Sequence, residues 1–245
     1  MKKSYIIIGV VVVVMLAAIG IYAVINSNSQ SKKQLEENST NIEGTTNTEN
    51  STKENNTENK DENIQNNQIS NESEENNMYS TGKHHAEIVV KNYGTIALEL
   101  DSDVAPITVE NFANLVNEGF YNGLTFHRII SGFMIQGGDP LGNGTGGSSK
   151  TIKGEFASNG VKNSISHVRG TISMARSSMP NSASSQFFIV HQDSTFLDGK
   201  YAAFGTVTSG MEVVDKICAD TAVEDDNGTV AKNNQPVIEK ITIID

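Results

Sequence analysis

Residues 82–245 of this 245-residue chain predict a mainly β domain, either a closed barrel or a sandwich. Short segments rich in β-branched and aromatic residues recur after Thr81, and glycines separate them. Only two stretches show the apolar spacing of a helix, whereas an alternating α/β sheet would need a helix after almost every strand. The segment is also long enough to bury one core.

Local patterns predict the strands. Ile96, Leu98 and Leu100 alternate with Ala97 and Glu99, which indicates a strand with one buried face. The Asn-Tyr-Gly sequence at 92–94 is typical of a turn from an earlier strand, so the domain should begin with a hairpin. Further strands are predicted at 86–91, 170–175, 186–191, 203–207 and 237–244.

Two helices are predicted. The first has Thr108 as its N-cap, cannot extend upstream of Pro106 and ends at Gly119. Its apolar residues recur at helical spacing: Val109, Phe112, Leu115 and Val116. The second helix is predicted around 211–219, with Val214 and Ile217 on one face.

The first 25 residues predict a single-pass membrane anchor. The uncharged run from Tyr5 to Ile25 follows Lys2 and Lys3 and reaches the length of about 20 residues that a bilayer core requires. It is longer than the apolar region of a cleavable signal. Cleavage after Ser29 remains an alternative, which would make the protein secreted. The lysines on the two sides nearly balance, with a lean toward an extracytoplasmic domain.

Residues 26–81 predict a disordered linker. They are mostly Asn, Glu, Ser, Thr, Gln and Lys, and they show no sustained periodicity. Because they hold most of the excess acidic residues, the net charge of −11 belongs largely to this linker. We interpret the charge as solubilising. No nucleic-acid partner is predicted.

The most informative segment is 126–139, which places Arg128 among Phe, Ile and Met residues. A desolvated charge is costly unless it finds partners. One interpretation is a pocket with apolar walls and a fixed guanidinium, suited to an uncharged ligand that needs a hydrogen-bond donor. The alternative is an edge strand whose arginine extends from the core to solvent.

The other motifs in the sequence give weaker indications of function. Gly142–Gly147 fits the G-x-G-x-x-G pattern, but no convincing strand precedes it and no helical pattern follows, so we predict a loop at a pocket rim. His84 and His85 lack further ligands at metal-binding spacing, so neither a metal nor a cofactor is predicted. The single cysteine, Cys218, is interpreted as an ordinary buried thiol.

Segment 126–139 is the first of five motifs that follow one another along the chain: FHRII-GFM-QGGD, GNGTGG, SMAR, SQFFI and FLDGK-AFG. From about Glu87 to Asp245, the chain resembles the cyclophilin family of peptidyl-prolyl cis-trans isomerases. The resemblance implies a closed eight-stranded antiparallel β-barrel capped by two α-helices. It also implies that Arg128 is the catalytic residue, with His127 and Ile130 supporting the site. The implied substrate-binding residues are Phe133, Met134, Gln136, Ala175, Arg176, Gln186, Phe188, Phe196, Leu197 and Tyr201.

Two departures from the family bear on ligands. Many eukaryotic members carry Trp where this chain has Phe196, and His where it has Tyr201. A phenyl ring offers no hydrogen-bond donor, so weak cyclosporin binding is expected with isomerase activity retained. Arg176 stands where many relatives have Asn.

The leading hypothesis is a membrane-tethered prolyl isomerase, with a monomeric domain, that acts on unfolded or flexible proline-containing chains outside the cytoplasmic membrane. One alternative is a non-catalytic peptide-binding module that uses the same groove. Another is a general holdase chaperone that does not depend on Arg128.

Overall fold

The computed structural model describes residues 78–245, so the predicted anchor and nearly all of the predicted linker lie outside the described residues. Among residues 78–245, none of the helices has the length and apolar character needed to cross a membrane. Residues 78–81, assigned to the linker by composition, contact the domain. The Tyr79 carbonyl accepts a hydrogen bond from Ser102 Oγ at 2.6 Å, and the Tyr79 ring meets His84 edge-on.

The described part of the chain folds into eight strands and two α-helices, in good agreement with the predicted segments. The strands are β1 (Lys83–Val90), β2 (Gly94–Asp101), β3 (Phe126–Ile130), β4 (Met134–Gly137), β5 (Thr171–Met174), β6 (Phe187–Val190), β7 (Ala203–Ser209) and β8 (Ile238–Ile243). The helices are α1 (Pro106–Asn117) and α2 (Met211–Asp220). All ladders are antiparallel, in the order β3-β4-β6-β5-β7-β2-β1-β8.

The prediction of a closed barrel is wrong, because the strands form a half-barrel in which no ladder joins β3 to β8. A loop occupies the outer edge of β3 instead. Ile129 N donates to Gly228 O at 2.8 Å, and Val230 N donates to His127 O at 3.0 Å. Near the start of β3 the contacts with the segment around β8 are isolated ones: Thr125 and Val237 form a single bridge, and Phe126 N donates to Pro236 O at 2.9 Å. With its edge already paired to a loop, β3 has no free row of backbone groups for β8.

The prediction that Thr108 caps α1 is also wrong. The helix starts at Pro106, its N-cap is Ala105, and the cap makes no side-chain hydrogen bond. Proline suits the first helical position because its missing N–H would have no partner there. The buried carboxylate of Glu155 takes the place of a local cap. It accepts hydrogen bonds from Ile107 N, Thr108 N and Thr108 Oγ1 at 3.1, 2.8 and 2.6 Å.

The core separates into two apolar clusters. The larger one contains residues from both helices and from the sheet, and the fully buried Phe112 ring lies within it. Phe112 packs against the rings of Tyr121, Phe187 and Phe204, with centroids 5.2, 5.7 and 5.3 Å away. The smaller cluster comprises Met134, Phe188, Val190 and Leu197. It follows that the apolar residues of segment 126–139 are divided between two packing environments.

Candidate active site

Strand register places Arg128, Gln136 and Phe188 in one row across three neighbouring strands. Arg128 on β3 lies opposite Gln136 on β4, and Gln136 lies opposite Phe188 on β6. Directly opposed residues on neighbouring strands project from the same face of a sheet. This face therefore presents a cation, an amide and an aromatic ring side by side.

The Arg128 guanidinium is half-buried and held from two sides. Its Nη1 donates to Gln136 Oε1 at 3.3 Å, while Nε and Nη2 donate to the carbonyl O and Oδ1 of Asn227 at 2.8 and 3.1 Å. Burial lowers the pKa of Arg128, and the negative charge of Asp225 acts in the opposite direction. An arginine has no accessible neutral form in a protein, so the group remains a cation.

A chain of amide hydrogen bonds leads from Arg128 to the glycine-rich loop. Gln136 Nε2 donates to Gln186 Oε1 at 2.9 Å. Gln186 Nε2 in turn donates to the carbonyls of Gly146 and Gly144 at 2.7 and 3.2 Å. Because arginine can only donate, the oxygen of Gln136 must face Arg128, which fixes the orientation of both amides. The segment at 142–147 is a loop, as predicted, and it lies beside Gln186.

Asp139 holds the backbone of the glycine-rich loop in place through hydrogen bonds. Its buried carboxylate accepts hydrogen bonds from the N–H groups of Leu141, Asn143 and Gly144 at 2.8, 3.0 and 2.6 Å. Burial acts to raise the pKa of Asp139, but these backbone donors outweigh it and hold the pKa below its usual value. The loop is therefore built around a fixed negative charge.

The smaller apolar cluster forms the floor of the site. Phe188 is 5 % exposed, and its ring meets Tyr201 edge-on at 5.9 Å. Phe133 packs against the floor and also contacts Phe196, which is 54 % exposed, at a ring-centroid distance of 5.6 Å. The predicted site residues that belong to this floor or pack on it are Ile130, Phe133, Met134, Ala175, Phe188, Leu197 and Tyr201.

The side chain of Arg176 points into the domain's own structure. Its guanidinium lies between the Phe156 and Tyr201 rings, 4.9 and 4.7 Å from their centroids. It also donates to the carbonyls of Lys200 and Ser177. These contacts engage the guanidinium with two rings and two carbonyls of the domain itself. A contribution of Arg176 to peptide binding would therefore come through its backbone.

His127, adjacent to Arg128, is buried, and neither ring nitrogen has a hydrogen-bond partner among the described residues. Burial is the main cause that lowers its pKa, and the positive charges of Arg128 and Lys232 add to the effect. Asp139 opposes it. His127 is therefore the neutral imidazole in the folded protein at neutral pH.

We expect the stability of the protein to depend on His127 at mildly acidic pH. Since folding depresses the pKa of this base below its ordinary value of about 6.5, the unfolded chain binds more protons at and below that pH. The free energy of unfolding therefore has its full value, as far as His127 is concerned, above a pH of about 6.5, and it decreases as pH falls through the folded-state pKa of His127. Urea unfolding of the wild type and of His127→Leu between pH 7.5 and 5 measures this.

The variant should lose less stability on acidification than the wild type does. Part of the slope should remain, because burial also lowers the pKa of His167 against the opposing effect of Asp198. If His127→Leu left the whole pH dependence unchanged, His127 would not be the group responsible.

Three residues of the site were not identified from the sequence. Asn227 follows two aspartates in a polar run, where Asn-Gly signals a turn but not a contact with Arg128. Asp139 stood in the informative segment without an assigned role. His167 stacks behind Phe188 at 6.0 Å and bonds Asp198 and Ser173 at 2.9 and 3.0 Å. The role of His167 could not be predicted, because a side chain that connects distant segments leaves no periodic pattern in the sequence.

A half-barrel with a fixed guanidinium, two oriented amides and an apolar floor on one surface has the features of a site for uncharged, partly apolar groups held by non-covalent contacts. Comparisons with known proteins specify the class. Residues 85–244 match the family model described as cyclophilin-type peptidyl-prolyl cis-trans isomerase/CLD.

Similar proteins agree with that match. A peptidyl-prolyl cis-trans isomerase of Helicobacter pylori is 51 % identical over 128 residues, which cover 51 % of this chain and 76 % of that protein. Peptidyl-prolyl cis-trans isomerase B of Bacillus subtilis is 50 % identical over 117 residues, which cover 48 % and 78 %. A crystal structure of a Cryptosporidium parvum cyclophilin, solved in the presence of the dipeptide Ala-Pro, shares 32 % identity. It aligns with a TM-score of 0.58 over 66 % of this chain and 99 % of that one.

The chain belongs to the cyclophilin family and is a peptidyl-prolyl cis-trans isomerase. The reaction needs neither a nucleophile nor a proton transfer, since only rotation about the X-Pro bond occurs. The barrier is about 18–20 kcal/mol, because the amide nitrogen lone pair is conjugated with the carbonyl. A donor placed beside an apolar floor suits that reaction.

Proposed function

We propose that this isomerase acts on unfolded or flexible proline-containing polypeptides and that Arg128 is its catalytic residue. The observation that carries the proposal is the hydrogen-bond count at the guanidinium. Arginine has five N–H donors, and three of them donate to Gln136 and Asn227. The guanidinium is held in place and still has two donors to offer a substrate.

The catalytic step follows from the electronic structure of the amide. A guanidinium that donates toward the prolyl nitrogen favours the pyramidal, deconjugated nitrogen of the twisted transition state. Arginine suits this role better than lysine, because its planar fork is always charged and only weakly hydrated. The donor contact is stronger in the twisted state than in either planar isomer, which is the requirement for faster rotation.

Substrate contacts divide between the floor and the amides. Phe133, Met134, Phe188 and Leu197 would hold the proline ring, while Gln136 and Gln186 would hydrogen-bond the peptide. Ala175 and Arg176 would pair with its backbone, Phe196 and Tyr201 would border the groove, and His127 and Ile130 would support it. The Cryptosporidium parvum cyclophilin solved in the presence of Ala-Pro supports a proline-containing ligand.

An exchange assay separates catalysis from binding alone. The full chain should accelerate cis-trans exchange of an Ala-Pro tetrapeptide, measured by NMR line broadening, at concentrations well below that of the peptide. A peptide-binding module would shift the resonances without exchange. A holdase would suppress aggregation of an unfolded client equally well in wild-type and Arg128→Ala forms.

We further propose that residues 1–25 tether the enzyme to the cell membrane as a single-pass anchor, with the monomeric domain outside the cytoplasm. The uncharged run at 5–25 and the polar linker at 26–81 support this. Protease added to intact cells should remove the domain. Protection until the cells are lysed would contradict the orientation, and release of the domain into the medium would indicate cleavage after Ser29.

Cyclosporin binding is proposed to be weak. The exposed Phe196 ring covers Phe133 but has no N–H to donate, unlike the Trp found in many eukaryotic relatives. The apolar floor that would accept part of the ligand is intact. Isomerase activity does not require that donor.

A further inference from the structure

The edge of the Arg128 guanidinium that contains Nε is occupied by one residue. Asn227 offers two acceptors to it, the carbonyl O to Nε at 2.8 Å and the side-chain Oδ1 to Nη2 at 3.1 Å. Two acceptors in the plane of a guanidinium fix its rotation more firmly than one, because both N–H directions are set by a rigid fork. The opposite side has only the longer 3.3 Å contact of Nη1 with Gln136.

The loop that carries Asn227 is folded around Asp225. The Asp225 carboxylate accepts hydrogen bonds from Thr229 N and Thr229 Oγ1 at 3.0 and 2.9 Å, and Gly228 N donates to the Asp225 carbonyl at 3.0 Å. Glu224 N closes the loop by donating to Thr229 O at 2.7 Å. The backbone around Asn227 is therefore set before a substrate arrives.

The same loop is fixed to the strand that carries Arg128. Gly228 lies so close to β3 that a Cβ atom would come within 2.3 Å of Ile129 O, and its φ of +81° also favours glycine. A surface pocket of about 190 Å³ borders the loop and is lined by Cys218, Thr221 and Asp225, among others. The hydrogen bonds around Asp225 and the close approach of Gly228 to β3 hold the loop in place.

We propose that Asn227 is a positioning residue for the isomerisation, and that its side-chain oxygen holds the Arg128 guanidinium in the orientation that presents its remaining donors to the prolyl nitrogen. The inference rests on the proposed catalytic role of Arg128. Without Oδ1, the guanidinium keeps one backbone acceptor at Nε and can rotate about its terminal torsions. Part of the preorganisation that favours the transition state is then lost.

The test compares variants of the full chain in the tetrapeptide exchange assay. Asn227→Ala removes Oδ1 and should lower kcat/KM about tenfold, the effect of losing one hydrogen bond to a charged group. The loss should fall on kcat, with KM little changed, since the contact acts in the transition state. Asn227→Asp keeps an oxygen acceptor and should restore most of the rate. Asp226→Ala changes an exposed neighbour in the same loop and is the matched control, with wild-type kinetics expected.

A spectroscopic measurement separates positioning from simple stabilisation of the loop. The chain has three arginines, so a ¹⁵N-arginine spectrum contains three Nε–H signals, and loss of one in Arg128→Lys assigns it. In Asn227→Ala the Nη2–H group of Arg128 loses its acceptor, so rotation about the Nε–Cζ bond should become faster and the Nη–H signals correlated with the Arg128 Nε–H should broaden, while the signals of Arg169 and Arg176 stay unchanged. An unchanged Arg128 signal would overturn the inference.

A double mutant distinguishes this inference from the proposed function. In the Arg128→Ala background, Asn227→Ala should cause no further loss, because its effect passes through the guanidinium. An equal loss in both backgrounds, or a wild-type rate for Asn227→Ala alone, would overturn the positioning role and leave the catalytic role of Arg128 standing. A wild-type rate for Arg128→Ala would overturn both.

Discussion

Replacing Arg128 with alanine is expected to lower kcat/KM for a proline tetrapeptide by about a hundredfold or more, since removal of one preorganised transition-state donor has an effect of that order. The side chain is half-buried and belongs to neither apolar cluster, so its loss should leave the melting temperature within a few degrees of the wild type. NMR exchange kinetics and thermal unfolding on the same samples measure both quantities.

Arg169→Ala is the matched control for this prediction. Arg169 also makes a short contact with an oxygen, 2.8 Å from Nη2 to Asp215 Oδ2, but this ion pair is exposed. Exposed pairs contribute little, so both activity and stability should stay close to wild type. If Arg128→Ala isomerised the peptide at the wild-type rate, the catalytic assignment would fail. A similar loss in Arg169→Ala would indicate a general effect of charge.

The largest expected effect on stability comes from Phe112→Ala. The ring is fully buried in the larger cluster and contacts three other aromatic rings, so truncation should cost about 3–5 kcal/mol of unfolding free energy. Urea denaturation monitored by circular dichroism measures the change. Because Phe112 lies on α1 and not in the smaller cluster, the fraction that remains folded should keep a normal kcat.

Phe196→Ala provides the comparison within the same residue type. This ring is more than half exposed and contacts mainly Phe133, so the loss of stability should be under about 1 kcal/mol. Its effect should appear instead as weaker peptide binding. Equal destabilisation by the two substitutions would contradict the assignment of Phe112 to the core and of Phe196 to the groove.

The elements that the sequence predicted well are those with a local signature. The buried face of β2 followed from the alternation of Ile96, Leu98 and Leu100, all of which are buried. Arg128, Gln136 and Phe188 were grouped only through the resemblance to a family, and the structure places them in one row across three adjacent strands. Periodicity and motif spacing report on neighbours within a strand, a helix or a hairpin.

What could not be predicted depends on contacts between distant segments. The N-terminus of α1 is capped by Glu155, 47 positions from Thr108, and the partner of Arg128 at Nε is 99 positions away. Neither contact leaves a repeating pattern, because each involves one side chain in a loop. The open half-barrel has the same origin, since it depends on which backbone segment pairs with the edge of β3.

The division of the apolar residues into two clusters has a consequence for how this enzyme can diverge. Substitutions in the floor around Phe188 change the shape offered to a substrate, while the packing of Phe112 and its neighbours in the larger cluster is left alone. Peptide preference can therefore drift in small steps without each step having to be compensated elsewhere in the domain. An enzyme whose binding floor was part of its main core would have to change stability and specificity together.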